Sequence, residues 1–394
     1  MVKKKYDIVI VGGFGHIGLP LGLSFANKGK SVCLYDIDKE SYKTINEGKL
    51  PFIEYDAGKI LKKVLKNGKL ETSLDINSVS KAKYVIITIG TPVDEYLNPK
   101  TNQFLNFFKN LSKYLNSKQT IIIRSSVFPD TCKRIYDSFK KKKLNLSYCP
   151  ERIVQGYAIK ELNTLPQIVS GFSKKSINES SKLFKTISPN IIFTSVKEAE
   201  LIKLFTNSLR YIQFATANQF YMICENFGVN FNNLKKSMLE GYERANWLPS
   251  AGFASGPCLL KDTMQLSAFN KNNFLLGHSA MIINEGLPNF IVDELSKKYD
   301  LSKKTIGILG MTFKAEIDDT RDSLSFKLAK ILNFKGAKVL FSDEFAKDKR
   351  FISNEKLIKN SDIIIIGAPH KKYNNLKFLK KNIVINIWDF LKLK

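Results

Sequence analysis

A thiol set at the start of a helix is the most reactive feature in this chain. In Gly252-Phe253-Ala254-Ser255-Gly256-Pro257-Cys258-Leu259-Leu260-Lys261-Asp262 a cysteine leaves a Gly/Ser/Pro turn and precedes a helical stretch. A helix N-terminus lowers a thiol pKa and favours the nucleophilic thiolate. Asp262 follows four residues later, one turn along the same face, within reach as a base for a water beside the sulfur. Cys33, Cys132, Cys149 and Cys224 have no comparable approach and read as buried structural thiols. Lys203 and Asn207 form a second pair in Glu198-Ala199-Glu200-Leu201-Ile202-Lys203-Leu204-Phe205-Thr206-Asn207. Four apart, they lie on one face of a helix. If that face turns toward a closed cleft, the lysine is costly there unless it serves something.

Near the start, Gly13-Phe14-Gly15-His16-Ile17-Gly18 is a GxGxxG that follows an apolar run and opens a helix. The first glycine permits the tight turn, the second lets a pyrophosphate approach the backbone, and the third allows helix to pack on strand. The helix N-terminus adds N–H donors and a positive dipole. Asp36 closes the second apolar run, where a carboxylate accepts from a ribose 2′-hydroxyl and repels a 2′-phosphate. Dinucleotide binding is expected, with NAD favoured over NADP. His16 falls inside the fingerprint as a lining residue near the cofactor. Thr91 and Pro92 end a strand at the sheet edge where ligands bind, near the nicotinamide ribose or simply in a turn.

The elements that must carry these groups follow from hydrophobic spacing. Strands are predicted at 6–11, 31–35, 84–89, 120–124 and 167–170, and helices at 102–115 and 174–184. This alternation predicts a parallel sheet covered by helices over roughly the first 190 residues. From Val196 to about Lys298 strand signals nearly vanish, and 198–227 has apolar residues at intervals of three and four. A helical middle region led by one long helix is expected. Strand signals return at 305–309, 338–341, 363–366 and 383–387, with a helix at 324–333. The tail is therefore a second, smaller α/β unit.

The 394 residues are enough for two or three domains, and 44% hydrophobic content excludes a disordered or fibrous chain. No apolar run approaches the roughly 20 residues that span a bilayer. The basic start followed by Ile8-Val9-Ile10-Val11 is too short, and too interrupted by Asp7, for a signal peptide. Five cysteines without a CxxC pair point to reduced thiols in a cytoplasmic protein. Three dispersed histidines make a metal site unexpected. Of these, His278 reads as a packing or hydrogen-bonding residue, and His370 as either a substrate-domain contact or a plain loop residue. Asn284-Glu285-Gly286 caps or lines the middle region without chemistry. The net charge of +26 raises the alternative of a nucleic-acid-binding protein, but the lysines are dispersed. The one run, Lys140-Lys141-Lys142-Lys143, reads as the solvated end of a helix.

Taken in order, these motifs resemble the UDP-glucose/GDP-mannose dehydrogenase family, the UDP-sugar 6-dehydrogenases. The resemblance also covers Gly90-Thr91-Pro92, Arg124-Ser125-Ser126-Val127-Phe128-Pro129, Cys149-Pro150-Glu151-Arg152, Leu309-Gly310-Met311-Thr312-Phe313-Lys314 and Asp318-Asp319-Thr320-Arg321-Asp322-Ser323. It implies an N-terminal Rossmann NAD domain over 1–194, a helical dimerising middle over 195–300 and a C-terminal Rossmann-like UDP-binding domain over 301–394. It implies oxidation of a sugar C6 alcohol to a carboxylate with two NAD and one water. By the resemblance, Cys258 captures the aldehyde, Lys203 and Asn207 stabilise the oxyanion, and Asp262, Glu151 and Ser126 handle protons and the hydrolytic water. Lys261 and Arg321 would join Ser126 and Thr91 near the cofactor. Phe253, Gly256, Lys314 and Arg244 would join Glu151, Lys203 and Asn207 at the substrate, with Arg244 reaching a neighbouring subunit. The expected partners are a UDP-sugar and a second copy of the chain, with neither nucleic acid nor membrane.

Four positions depart from the family's usual pattern. Ser126 replaces threonine, Gln155 stands where a second glutamate is common, and Pro257 precedes the cysteine. Trp388, in Asn386-Ile387-Trp388-Asp389, falls where the glucose enzymes tend to carry glycine-arginine, so a basic contact to the nucleotide is either missing or replaced by Trp388. The stretches 151–156 and 256–258 look more like the N-acetylhexosamine branch, so UDP-N-acetylmannosamine or UDP-N-acetylglucosamine is expected ahead of UDP-glucose. Rival functions are a two-electron β-hydroxyacid-type dehydrogenase and a non-catalytic nucleotide-sugar sensor.

Overall fold

The structure, a computed structural model, describes residues 5–91, 93–95 and 97–391; Pro92 lies outside the described residues. The chain divides into two compact units between Phe205 and Thr206. In the first, eight strands form one sheet: β1 (Tyr6–Val11), β2 (Val32–Tyr35), β3 (Leu70–Ser73), β4 (Ala82–Ile87), β5 (Thr120–Ile123), β6 (Asn145–Tyr148), β7 (Gln167–Gly171) and β8 (Ile191–Phe193). Their order is β3-β2-β1-β4-β5-β6-β7-β8. Successive β1 residues point to opposite faces. Ile8 and Ile10 therefore join Leu19, Phe25 and Leu34 on one side, while Val9 and Val11 join Val85 and Ile87 on the other. Both faces are buried, which is why these strands read as continuous apolar runs.

The sheet is parallel as expected except at one pair, where β7 runs antiparallel to β6. Antiparallel neighbours are joined at one end, so residues 149–166 stay at the C-terminal edge of β6 instead of crossing the sheet. Glu151, three residues past the end of β6, lies at that edge. The strands β3, β6 and β8 had no clear pattern: Leu-Glu-Thr-Ser and Asn-Leu-Ser-Tyr are polar-rich, and β8 has three residues. The helix expected at 102–115 is Thr101–Leu111 followed by a 3-10 turn. Lys140–Lys142 also form an exposed 3-10 turn, just after the helix Thr131–Ser138.

The long helix, Val196–Phe227, leads into the second unit. The helices Phe231–Leu239, Leu259–Phe269 and Leu275–Lys298 follow, with no strand between 196 and 298 among the described residues. The α/β tail then forms a four-stranded sheet from β9 (Thr305–Leu309), β10 (Lys338–Ser342), β11 (Ile363–Ile366) and β12 (Ile383–Ile385). All pairs are parallel, in the order β10-β9-β11-β12.

Candidate functional site

In the first unit the strand order reverses between β1 and β4, the place where open parallel sheets present a crevice to ligands. Residues 12–17 turn there from β1 into the helix Gly18–Asn27. The Gly12 and Gly13 N–H groups both donate to the Tyr35 carbonyl. The Thr88 hydroxyl, just past β4, lies 3.0 Å from both the Val11 and Gly12 carbonyl oxygens and pins the turn. The three fingerprint glycines answer to different neighbours. A Cβ on Gly13 would stand 2.8 Å from the Leu34 Cβ, and one on Gly18 would stand 2.2 Å from the Gly12 carbonyl oxygen. A Cβ on Gly15 would meet only that oxygen, at 3.7 Å. Packing therefore requires Gly13 and Gly18, whereas Gly15 leaves an open approach to the backbone, as a pyrophosphate needs.

Asp36 is half-buried, with Oδ2 accepting from the Phe14 N–H at 3.1 Å and Oδ1 from the Ile37 N–H at 2.7 Å. A carboxylate has about four acceptor positions, so it can still take a ribose hydroxyl. The residues present fit NAD. Gly18→Ala is expected to cost several kcal/mol of stability through backbone clash. Gly15→Ala should melt with the parent protein yet bind NADH about tenfold more weakly in a fluorescence titration, a loss of about 1.4 kcal/mol. His16 stacks on Phe52 with centroids 3.9 Å apart, and its Nε2 lies 3.4 Å from the Gln155 side-chain nitrogen. Gln155, where a second acid was common in the resemblance, is thus drawn to the fingerprint turn.

The same edge holds a buried ion pair. Arg124 is fully buried; its Nε donates to Glu151 Oε2 at 2.8 Å, and its Nη2 also contacts that oxygen. The guanidinium further donates to the Cys149 carbonyl and Gln167 Oε1, and it lies over the Phe184 ring. Glu151 Oε1 accepts from the Arg152 and Ile153 N–H groups at 2.7 and 3.1 Å. These donors fix the orientation of the carboxylate. Ser126 is half-buried, and its carbonyl accepts from the Thr91 hydroxyl. Further along the loop, Glu200 accepts from the Asp130 and Cys132 N–H groups at 2.8 and 3.0 Å. Burial pushes the Glu200 carboxyl above its usual range despite those donors. Glu200 ties the start of the long helix to the Ser126 loop, and Lys203 lies half-buried one turn further on.

In the second unit, Cys258 is exposed and sits at the N-cap of the helix Leu259–Phe269. The other four thiols are buried, and desolvation pushes Cys33 up to about 11 and Cys149 up to about 12. Asp262 is completely buried; its Oδ2 accepts from Asn207 Nδ2 at 2.6 Å, and Lys261 Nζ lies 2.6 Å from Oδ1. Lys261, expected near the cofactor, is paired with this carboxylate. The loop before Cys258 is clamped from several sides. Asn218 receives the Gly252 N–H and donates to the Gly252 carbonyl, while Asn284 holds Asn218. A Cβ on Gly252 would stand 2.3 Å from the Trp388 ring, and one on Gly256, at φ +99°, 2.4 Å from the Phe313 ring. The Gly256 N–H donates to the Asp322 carbonyl at 3.3 Å. Phe253 is buried in the core with Ala251 and Leu248.

Trp388 therefore seals the cysteine loop, and its Nε1 donates to the Gly367 carbonyl. Arg321 is gripped by Asp319, which raises its pKa further against the opposing effect of burial. Lys314 is half-buried in the loop after β9, and its carbonyl accepts from the Thr312 hydroxyl at 2.9 Å. Arg244 is exposed on a 3-10 turn with its guanidinium over Tyr242. His278 hydrogen-bonds Ser267 at 3.1 Å. Asn218 was not singled out beforehand, although it follows Asn207 by eleven residues on the long helix and so lies on the same face. Among the described residues there is no group of three or more His, Cys, Asp or Glu able to hold a metal. No helix among them is long and apolar enough to cross a membrane.

Comparison with known proteins matches three consecutive family models. They are the NAD-binding domain of the UDP-glucose/GDP-mannose dehydrogenase family at 6–188, its central domain at 197–285 and its UDP-binding domain at 307–393. A UDP-N-acetyl-D-mannosamine dehydrogenase of Methanocaldococcus jannaschii is 31% identical over 376 residues, covering 93% of this chain and 86% of that protein. A UDP-glucose 6-dehydrogenase of Rickettsia bellii is 27% identical over 410 residues, covering 96% and 94%. The solved structure of the UDP-D-ManNAc dehydrogenase from Pyrococcus horikoshii superposes with a TM-score of 0.90 at 27% identity, over 98% of this chain and 96% of that one.

Proposed function

This chain belongs to the UDP-glucose/GDP-mannose dehydrogenase family, and from that premise we propose that it oxidises the C6 alcohol of a UDP-N-acetylhexosamine to the uronate. The chain is an NAD-dependent UDP-sugar dehydrogenase. The choice of UDP-N-acetylmannosamine or UDP-N-acetylglucosamine over UDP-glucose rests on the stretches 151–156 and 256–258 and is supported by the relative from Methanocaldococcus jannaschii. The domain limits that go with this reading are 1–194, 195–300 and 301–394.

The single observation that carries the mechanism is the group Cys258, Asp262, Asn207 and Lys261, prearranged around one helix N-terminus. Residues 13–18, Asp36 and Thr91 would hold NAD, which would supply the hydride acceptor for both oxidations. Cys258 adds its thiolate to the C6 aldehyde, giving a thiohemiacetal that becomes a thioester once its hydride has left. Water then hydrolyses the thioester, releasing carboxylate and restoring the thiol. Asp262, positioned by Lys261 and Asn207, accepts the proton of that water. Lys203 and the Asn207 amide steady the oxyanion at C6. Glu151 and Ser126 orient water, while Phe253, Gly256, Lys314 and Arg244 line or complete the sugar-nucleotide site. Arg321, fixed by Asp319, supplies positive charge near the cofactor. One alcohol, two NAD and one water yield one carboxylate, two NADH and three protons.

The test is NADH production against a panel of UDP-sugars with stoichiometry counted. Two NADH per sugar with a UDP-N-acetylhexosamine, well ahead of UDP-glucose, is the expected result, and a preference for UDP-glucose overturns the substrate assignment. Lys203→Ala is expected to lower kcat by about 10²-fold, the size of effect seen when one oxyanion donor is lost.

The dimer belongs to the same reading. On the long helix Leu209, Phe220, Ile223 and Phe227 form an exposed apolar stripe, and Leu275, Leu276 and Ile282 are exposed further along. Exposed apolar residues grouped along these helices suit a second copy of the chain. Leu209→Glu with Ile223→Glu is expected to give monomers in sedimentation. A parent protein that already sediments as a monomer rules the dimer out.

A further inference from the structure

In the tail sheet the order β10-β9-β11 reverses direction at β9, so the ligand crevice lies between the loops that follow β9 and β11. The first loop, 310–316, carries Lys314. The second ends at His370, which is completely buried and lies edge-on to Phe345 and Tyr373. His370 is thus more than a plain loop residue. Its Nδ1 accepts from the Glu316 N–H at 2.9 Å, which places the proton of the neutral ring on Nε2. Nε2 faces the Thr312 hydroxyl at 3.1 Å and Asp343 Oδ2 at 3.3 Å. The Thr312 hydroxyl in turn donates to the Lys314 carbonyl at 2.9 Å. One imidazole therefore grips both ends of the segment 312–316.

Asp343 completes the clamp. It follows β10 as Asp36 follows β2, but its environment is closed. Its two oxygens accept from the N–H groups of Met311, Thr312, Phe345 and Ala346 at 2.6, 3.0, 2.8 and 2.9 Å. Burial alone would push its carboxyl up, yet His370 and the amide donors hold it below the usual range. Asp36 keeps acceptor positions open to a ribose, while Asp343 devotes itself to the loop. His370 does for the loop after β9 what Thr88 does for the turn after β1, bonding it across the crevice from the next strand's end.

We infer that His370, through Glu316 and Thr312, is a positioning residue that fixes the Lys314 loop for the UDP-sugar. The inference rests on the proposed reading in which this crevice takes the nucleotide-sugar. A mobile 312–316 segment would have to be ordered on binding, so losing His370 weakens substrate binding while leaving the NAD site in the other unit untouched.

The experiment measures UDP binding by calorimetry and the two KM values by NADH production, in the full-length protein. His370→Ala is expected to weaken UDP binding and raise the UDP-sugar KM by about tenfold, the equivalent of one net hydrogen bond. The NAD KM is expected to stay within about twofold of the parent. His370→Asn, whose Oδ1 can take the place of Nδ1, is expected to recover part of that loss. Thr312→Val, which cuts the link to the Lys314 carbonyl, is expected to shift the same KM in the same direction and decides the matter if His370→Ala does not fold. Unchanged UDP affinity in the folded variants overturns the inference, as does a parallel rise in both KM values. A parent protein that binds no UDP overturns the underlying reading instead.

Discussion

Cys258→Ala is expected to stop uronate formation, lowering carboxylate production by about 10⁴-fold or more, since loss of a covalent nucleophile costs up to about 10⁶-fold. No other thiol can substitute. Cys33, Cys132, Cys149 and Cys224 are buried, and desolvation holds each in its protonated form. The first oxidation needs no sulfur, so the ratio of NADH to sugar is expected to fall from two toward one. Carboxylate production at the parent rate would overturn the thioester route in favour of direct hydride loss from the hydrated aldehyde, with two NADH still formed per sugar. Asp262 should separate from Cys258 kinetically. With Asp262→Asn the aldehyde is still captured, and an acyl adduct on Cys258 is expected to accumulate and be visible by intact-protein mass spectrometry.

The second large effect concerns stability. Arg124 and Glu151 have side-chain exposures of 0% and 7%, so removing either charge strands the other in a medium that solvates it poorly. Arg124→Ala is expected to destabilise the first unit by about 3 to 5 kcal/mol. That is on the order of 10 °C in Tm for a unit of this size. Arg124→Met combined with Glu151→Gln is expected to cost less than Arg124→Ala alone, because neither partner is then an unpaired ion. If the double variant is as unstable as the single one, the stranded-charge argument fails and lost packing over Phe184 is the cause.

Strands β1, β2, β4, β5, β9 and β11 were visible because each is a short apolar run buried on both faces, and the edge strand β10 by its apolar Val-Leu-Phe run. β6 was not, since its Asn145 and Ser147 are buried polar residues satisfied by Thr120 and by the Ser176 carbonyl, partners that no local pattern reveals. The antiparallel turn of β7 was equally hidden, because strand direction depends on which end of the sheet a connection occupies. Among site residues, Cys258, Asp262, Lys203 and Asn207 stood out by spacing along single helices. The pairing of Lys261 with Asp262 was not legible because it depends on side-chain direction, nor was the packing of Trp388 on Gly252, which lies far away in sequence.

By itself the sequence determined the family, the cofactor and the succession of α/β, helical and α/β segments, because periodicity and motif spacing are local properties of a chain. Only the tertiary structure decided which fingerprint glycine is open to a ligand, which of five thiols reaches the surface, and that His370 clamps the loop after β9. Those depend on contacts between residues tens or hundreds of positions apart, and such contacts exist only once the strands and helices have packed.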